Sequence, residues 1–162
     1  YGKINSRSNI SDHEIASLGF GYGLEASAIQ LAMAFSVFAN DGVLKGFQLV
    51  KEKNHSNPSQ VISKHTAKLI MESLEQVIVD GTGSQAKHHS HRVAGKTGTS
   101  HKVSNGKYDK SKYISSFIGI GPLETKKYTI LVTIDEPGLN RYSGGEVAAP
   151  VFKEIFDDLV SL

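Results

Sequence analysis

The sequence contains no cysteine, which excludes disulfide bridges and cysteine-ligated zinc sites. It has no apolar run near the roughly 20 residues of a membrane span, and no signal-peptide pattern opens it. Charge of one sign is also missing. Lys and Arg number 18 against 16 Asp and Glu, a formal net charge of +2. No basic stripe is present that could track a phosphate backbone, so nucleic acid is not an expected partner. What remains is 39% hydrophobic and 21% charged, the composition of a folded globular protein. The 162 residues suit one compact domain or a large piece of one. Residue 1 is Tyr rather than Met, and residues 1–13 read as a polar loop. The chain is therefore expected to be cut from a longer protein, with any anchor or address upstream. No internal repeat, low-complexity tract or domain boundary is evident.

Along the chain, Gly19-Phe20-Gly21-Tyr22-Gly23 is too glycine-rich for a helix and suits close backbone packing. Ser27 with Gln30 three residues on forms a capping-box pattern. The apolar stripe Ala28, Leu31, Ala32, Phe35, Phe38 and Ala39 then predicts a helix, stopped at Asn40-Asp41-Gly42 with Gly42 as the left-handed cap. Residues 43–51 read as a short hairpin or extended stretch, and residues 54–59 as a loop. Ser63 opens a second helix with Ala67, Ile70, Met71, Leu74, Val77 and Ile78 on one face. Asp80-Gly81-Thr82-Gly83 ends it, followed by a flexible segment to His91. The period then changes. Residues 92–99, 113–120 and 128–135 are strand candidates, with Asn105-Gly106 as one turn and residues 122–127 as a short link. Short links favour antiparallel neighbours. Pro150 is placed at the first position of a closing helix that buries Phe152, Ile155, Phe156 and Leu159. Helices, a three-strand meander and a closing helix make an α+β fold.

The most specific phrase is Val93-Ala94-Gly95-Lys96-Thr97-Gly98-Thr99. A Lys-Thr-Gly triplet on a strand leading an antiparallel meander is a signature of serine penicillin-recognising enzymes. The chemistry accounts for the residue types. Lys96 offers a positive charge beside an acyl-transfer centre. Thr97 and Thr99 offer hydroxyls to a substrate carboxylate. Gly98 leaves the strand bare for an extended peptide, and a free N–H on an edge strand suits an oxyanion hole. A phosphate-binding loop is the rival reading of Gly95-Lys96-Thr97, but its first glycine would fall at Ser90 and the segment continues as a strand. A chance surface strand is the other.

The surrounding chain bears on that choice. Gly19-Phe20-Gly21-Tyr22-Gly23-Leu24 with Ile29-Gln30-Leu31-Ala32-Met33-Ala34-Phe35 resembles the segment that precedes the Lys-Thr-Gly strand in class B penicillin-binding proteins. Asn40-Asp41-Gly42, Gly81-Thr82-Gly83, Tyr113-Ile114-Ser115-Ser116-Phe117-Ile118-Gly119, Ile134-Asp135-Glu136-Pro137, Tyr142-Ser143-Gly144-Gly145 and Ala149-Pro150-Val151-Phe152 follow in the family's order. The resemblance runs from about His13 onward and looks most like the septal, cell-division branch.

The resemblance implies a partial penicillin-binding transpeptidase fold over residues 1–162, with antiparallel strands packed under helices. It implies a peptidoglycan D,D-transpeptidase that acts through a serine and is the target of β-lactams. Lys96 would be catalytic, Thr97, Gly98, Thr99 and Tyr142 substrate-binding, and the Thr99 backbone N–H an oxyanion donor. The nucleophile's Ser-x-x-Lys motif and the Ser-x-Asn motif would lie upstream, and this chain alone is expected to be inactive. Ser84–Lys87 and Ser104–Lys107 do fit Ser-x-x-Lys. With 19 serines and 15 lysines about two such matches arise by chance, and both sit in polar loops. Implied partners are peptidoglycan stem peptides, β-lactams and membrane proteins of the division complex. The implied place is the periplasmic side of the inner membrane. No cofactor or metal is expected, and His88, His89 and His91 read as a solvated loop. Tyr142 reads equally as an aromatic wall or as a turn residue on the sheet edge. Asp135 and Glu136 look like a carboxylate pair, but at adjacent strand positions they would face opposite ways, so they read as turn residues. A twist or bulge near Gly98 is expected if Lys96 and both threonines are to reach one cleft. The alternatives are a serine β-lactamase and a sensor or scaffold module without turnover. The apolar strand 128–135, cut from a missing neighbour, is expected to self-associate.

Overall fold

The computed structural model describes residues 2–4, 10–19, 21, 23–50, 57–104, 106–138 and 140–162. In chain order these form strand β1 (Lys3–Ile4), helix α1 (Asp12–Gly19), strand β2 (Leu24–Glu25), helix α2 (Ala28–Ala39) and strands β3 (Val43–Leu44) and β4 (Ser59–Gln60). Helix α3 (Lys64–Val79), a 3-10 turn (Ser84–Ala86), strands β5 (Ala94–Ser104), β6 (Lys107–Gly121) and β7 (Tyr128–Asp135) and helix α4 (Gly144–Ser161) complete it. β1 pairs with β2 and β3 with β4, and the main sheet runs β5-β6-β7, antiparallel throughout. The fold is α+β, with the expected meander.

Local chemistry sets most of the boundaries. Ser27 Oγ accepts the Gln30 N–H while the Gln30 side chain accepts the Ser27 N–H, closing the capping box that starts α2. At its other end the left-handed turn begins one residue earlier than expected, at Asp41 with φ 55°. The Gly42 N–H then reaches back 2.8 Å to the Val37 carbonyl and satisfies an orphan acceptor. Ser63 caps α3 by accepting from the Thr66 N–H. Ser104 opposite Lys107 closes the β5-β6 hairpin at Gly106, whose φ is 74°. Asn105, the other half of that expected turn, lies outside the described residues, as do Tyr1, Phe20, Tyr22 and residues 51–56 of the expected loops.

Several expectations are corrected. The polar opening is not all loop: it contains β1, and α1 starts at Asp12. Ser11 and Glu14 exchange backbone N–H bonds in a capping box there, a signal present in the sequence. In α2 the one buried residue among those described is Val37, off the expected stripe. Its apolar residues run almost all round, so no single face is singled out. Helix α4 starts at Gly144, and Pro150 lies inside it. The lost proline N–H forfeits one bond to the Glu146 carbonyl, and the helix nevertheless starts six residues earlier, where its first turn packs on the sheet. The buried face of α4 is Ala148, Ala149, Phe152 and Phe156, and Ile155 points outward.

That face of α4 makes the core. Phe117, Gly119 and Gly121 alternate along β6 toward α4. A Cβ on Gly119 would lie 2.3 Å from the Phe152 ring, and one on Gly121 3.0 Å from the Phe156 ring. Phe117, Phe152 and Phe156 are fully buried, with Ile78 of α3, Ala86, Val93 and Val132 around them. Ile118 and Ile120 point to the opposite face and are buried as well. The sheet is therefore covered on both sides at its centre.

The histidines between α3 and β5 are expected to be solvated, which holds for the exposed His89 but not for His88. Ala86 is fully buried and His88 is 9% exposed. His88 Nδ1 accepts the N–H groups of Ser90 and His91, each at 3.0 Å. The ring stacks on His89 and His91 and meets the edge of Phe156. Its Nε2 lies 3.3 Å from Asp157 Oδ1. The histidine replaces missing backbone acceptors, so it is structural. Among the described residues no group of three or more His, Cys, Asp or Glu is arranged to hold a metal ion.

Two outcomes follow from this packing. Burial first, then the neighbouring His89, His91 and Lys153, hold the His88 imidazole below its ordinary range, against the pull of Asp157. The unfolded chain thus binds that proton more readily than the fold does. Stability should be full above about pH 6.5 and fall as the pH drops through the folded value. Denaturant midpoints measured across this range should show the loss, and His88→Gln should flatten it. Gly119→Ala should lower the unfolding free energy by about 1–3 kcal/mol, because the buried Phe152 ring has nowhere to go. Urea titration of both proteins measures it.

Candidate functional site

The Lys-Thr-Gly phrase lies on β5, an outer strand with β6 as its partner among the described residues. The register is regular here: Lys96 opposes Ile118, Thr97 Phe117, Gly98 Ser116 and Thr99 Ser115. Thr97 and Thr99 therefore share the α4 face, and Lys96 and Gly98 the other. The expected bulge near Gly98 is absent. The register shift falls instead between His101 and Lys102. No bulge is needed, because the Lys96 stem bends and its Nζ donates to the Thr97 carbonyl at 2.8 Å. A four-carbon chain carries the ammonium past the alternation that fixes its Cβ.

Each threonine hydroxyl has a partner from another element. Thr97 Oγ1 lies 2.9 Å from Thr82 Oγ1, on the turn after α3. Thr99 Oγ1 accepts the Gly144 N–H at 3.0 Å. That donor is one of the unpaired N–H groups of the first turn of α4, and it brings the positive end of the helix dipole to Thr99. Only glycine fits there. A Cβ on Gly144 would stand 2.2 Å from the Ser116 carbonyl oxygen and 2.5 Å from that of Gly98. One on Gly145 would stand 2.1 Å from the Thr82 carbonyl oxygen. Ser143 holds Glu146 instead of capping the helix backbone. Its hydroxyl and N–H keep the Glu146 carboxyl below the usual range.

Tyr142 sits at the end of this arrangement. Its carbonyl accepts from the Ser115 hydroxyl. Its ring is 40% exposed and stacks on Tyr113 at 4.2 Å, which in turn packs on His101 at 4.6 Å. Tyr142 is thus a packed turn residue with one open side, next to the strand position beyond Thr99. Asp135 and Glu136 sit at the end of β7, where the turn expected of them begins. Glu136 lies past the strand end with φ 53°, and Lys102 Nζ reaches both, at 2.9 Å from Asp135 and 2.8 Å from Glu136. Lys102 holds the Glu136 carboxyl below its usual range.

The structure thus gathers Lys96, Thr97, Gly98 and Thr99 with Thr82 and Gly144, to which the sequence alone assigns no role. Both belong to short glycine phrases, Gly81-Thr82-Gly83 and Ser143-Gly144-Gly145, and that was the available signal. Neither Ser-x-x-Lys match sits on an α-helix: Ser84 opens the 3-10 turn, and Ser104 faces Lys107 across the hairpin. A cavity of about 680 Å³ between Gly21, residues 23–26 and the far end of β5 includes Ser100, His101 and Lys102 but none of residues 96–99. The chemistry-bearing residues line an open strand edge instead.

Residues 2–157 match the penicillin binding protein transpeptidase domain. The chain is 39% identical over 150 residues to the probable peptidoglycan D,D-transpeptidase PenA of Neisseria flavescens, covering 92% of this chain and 38% of that protein. It is 36% identical over 169 residues to the peptidoglycan D,D-transpeptidase FtsI of Buchnera aphidicola, covering 99% of this chain and 29% of that one. The chain thus spans about a third of the length of these relatives. Among solved structures, the transpeptidase domain of Burkholderia pseudomallei penicillin-binding protein 3 superposes with a TM-score of 0.88 at 34% identity, covering 99% of this chain and 49% of that one. Penicillin-binding protein 3 of Mycobacterium tuberculosis, complexed with aztreonam, gives 0.85 at 27% identity, with 99% and 40% covered. The chain belongs to the class B penicillin-binding proteins, as part of their transpeptidase domain.

Proposed function

We propose that the protein carrying this chain is a peptidoglycan D,D-transpeptidase of cell division, and that β5 is its substrate-binding strand. The observation that carries the reading is the outer edge of β5, where an ammonium and two threonine hydroxyls crowd four consecutive residues. A stem peptide's terminal D-Ala-D-Ala would lie along this edge. Its carboxylate would take hydrogen bonds from Thr97 and Thr99 and the field of Lys96. Gly98 leaves room for the extended chain. A serine upstream of Tyr1 would attack the penultimate carbonyl and expel D-Ala. The amine of a second stem peptide would then attack the acyl-enzyme and form the cross-link.

The oxyanion would be held by the Thr99 N–H. The Thr97 carbonyl is within reach of the exposed Lys96 ammonium, which supports its facing the open edge. Backbone groups two residues apart on a strand point the same way, so the Thr99 N–H would share that direction. Tyr142 would border the substrate beyond Thr99. β-Lactams would occupy the same place, in line with the aztreonam complex of the Mycobacterium tuberculosis relative. By family, the protein would work on the periplasmic side of the inner membrane beside division proteins. No described helix of this chain is long and apolar enough to cross a membrane.

Two measurements test this reading. The 162-residue chain incubated with a fluorescent penicillin should give no labelled band after denaturation. The same chain extended upstream to the length of its relatives should label, and Lys96→Ala should slow that labelling about tenfold or more, the cost of a charged hydrogen bond. A labelled band from the short chain would overturn the placement of the nucleophile. The outer edge of β7 has no strand partner among the described residues. The short chain should therefore pair with a second copy through Tyr128–Asp135. Light scattering should give a dimer mass at high concentration, and a monodisperse monomer would contradict the pairing.

A further inference from the structure

Thr82 belongs to no motif that carries assigned chemistry, yet its hydroxyl lies 2.9 Å from that of Thr97. Its place is fixed by backbone rather than by chance. The next residue, Gly83, donates its N–H to the Val77 carbonyl at 3.0 Å, and the Thr82 carbonyl abuts Gly145 of α4. Thr82 itself is exposed.

A threonine hydroxyl has one proton and two acceptor lone pairs, whereas a carboxylate only accepts. Thr97 can therefore serve a carboxylate only by donating. One proton occupies the contact between the two threonines. When Thr82 supplies it, the proton of Thr97 is free for the substrate. When Thr97 supplies it, Thr97 presents only lone pairs and repels an anion. Thr99 is arranged in the first way: the Gly144 N–H fills its acceptor side at 3.0 Å and leaves its proton to give. Both hydroxyls of the site are thus supplied with a neighbour able to donate to them, from the turn after α3 and from the start of α4.

We propose that Thr82 is a positioning residue of the carboxylate subsite, donating to Thr97 Oγ1 so that Thr97 donates to the substrate's terminal carboxylate. The inference rests on the reading of residues 96–99 given above. Its consequence is selective: losing the Thr82 hydroxyl weakens recognition of the charged carboxylate and leaves the acyl-transfer chemistry intact.

The test uses the upstream-extended protein, and compares its acylation rate constants with benzylpenicillin and with the carboxyl methyl ester of benzylpenicillin. Thr82→Val keeps the shape and removes the hydroxyl. It should slow acylation by the acid about three- to tenfold, the factor for one neutral hydrogen bond, and leave the ester rate unchanged. Thr82→Ser should restore most of the acid rate. In a Thr97→Val background, Thr82→Val should have no further effect, because the residue through which it acts is gone. Equal losses with acid and ester would reveal a general packing defect and overturn the proposal. So would an unchanged acid rate in Thr82→Val when Thr97→Val is slow. An unchanged acid rate in Thr97→Val would overturn the reading of the Lys-Thr-Gly strand itself.

Discussion

Helix α4 begins on the bare backbone of the sheet, and that contact sets the spacing of everything around residues 96–99. Gly144 sits against the carbonyls of Gly98 and Ser116, and Gly145 against that of Thr82. Three chain segments distant in sequence meet there without an intervening side chain. The close approach lets a helix N–H reach the Thr99 hydroxyl. It also holds the Thr82 turn beside Thr97. Farther along, Phe152 fills the space above Gly119, so the same helix is fixed at its start by two glycines of its own and at its middle by one in the sheet. A methyl group at any of these points would lift the helix from the strand.

That arrangement resolves a geometric conflict in the site. A β-strand presents successive side chains to opposite faces, whereas the proposed carboxylate subsite needs an ammonium and two hydroxyls together. The threonines, two apart, share a face without strain. Lys96 starts on the other face, and its flexible stem brings the ammonium back to the Thr97 carbonyl. The backbone stays regular, and the register shift is displaced to His101–Lys102, where Lys102 ties the strand to Asp135 and Glu136. The outer strand is therefore regular along residues 96–99 and irregular beyond them.

The packing also separates two kinds of polar group. His88 is buried because it supplies an acceptor to two backbone N–H groups that no secondary structure satisfies. A buried donor without a partner costs about 1–3 kcal/mol, which explains why a polar loop packs instead of floating. Thr82, Thr97 and Thr99 instead keep hydroxyls at a surface the fold leaves accessible or half-covered. The former group stabilises the chain, and the latter stays available to a ligand.

Much of this was legible in the residues themselves. Ser27 with Gln30, and Ser63 ahead of its apolar stripe, specified helix starts because a cap is a local hydrogen bond. Strand β7 has the bounds its sequence pattern predicts, because its neighbours break the pattern, and the order Lys96-Thr97-Gly98-Thr99 is what singles out β5 for the proposed site. The start of α4 was misplaced at Pro150, because local preference puts proline at the first turn. What fixes it at Gly144 is contact with Gly98 and Ser116, which no local pattern records. The buried side of α2 was unreadable for a related reason: a helix apolar nearly all round does not announce which face its neighbours will cover. Likewise, the hydroxyl of Thr82 acquires its meaning only from Thr97, 15 residues away. Interactions within one turn or one strand are written in the sequence, because the backbone period fixes them. Those between elements depend on how closely two backbones approach, and only the tertiary structure decides that distance.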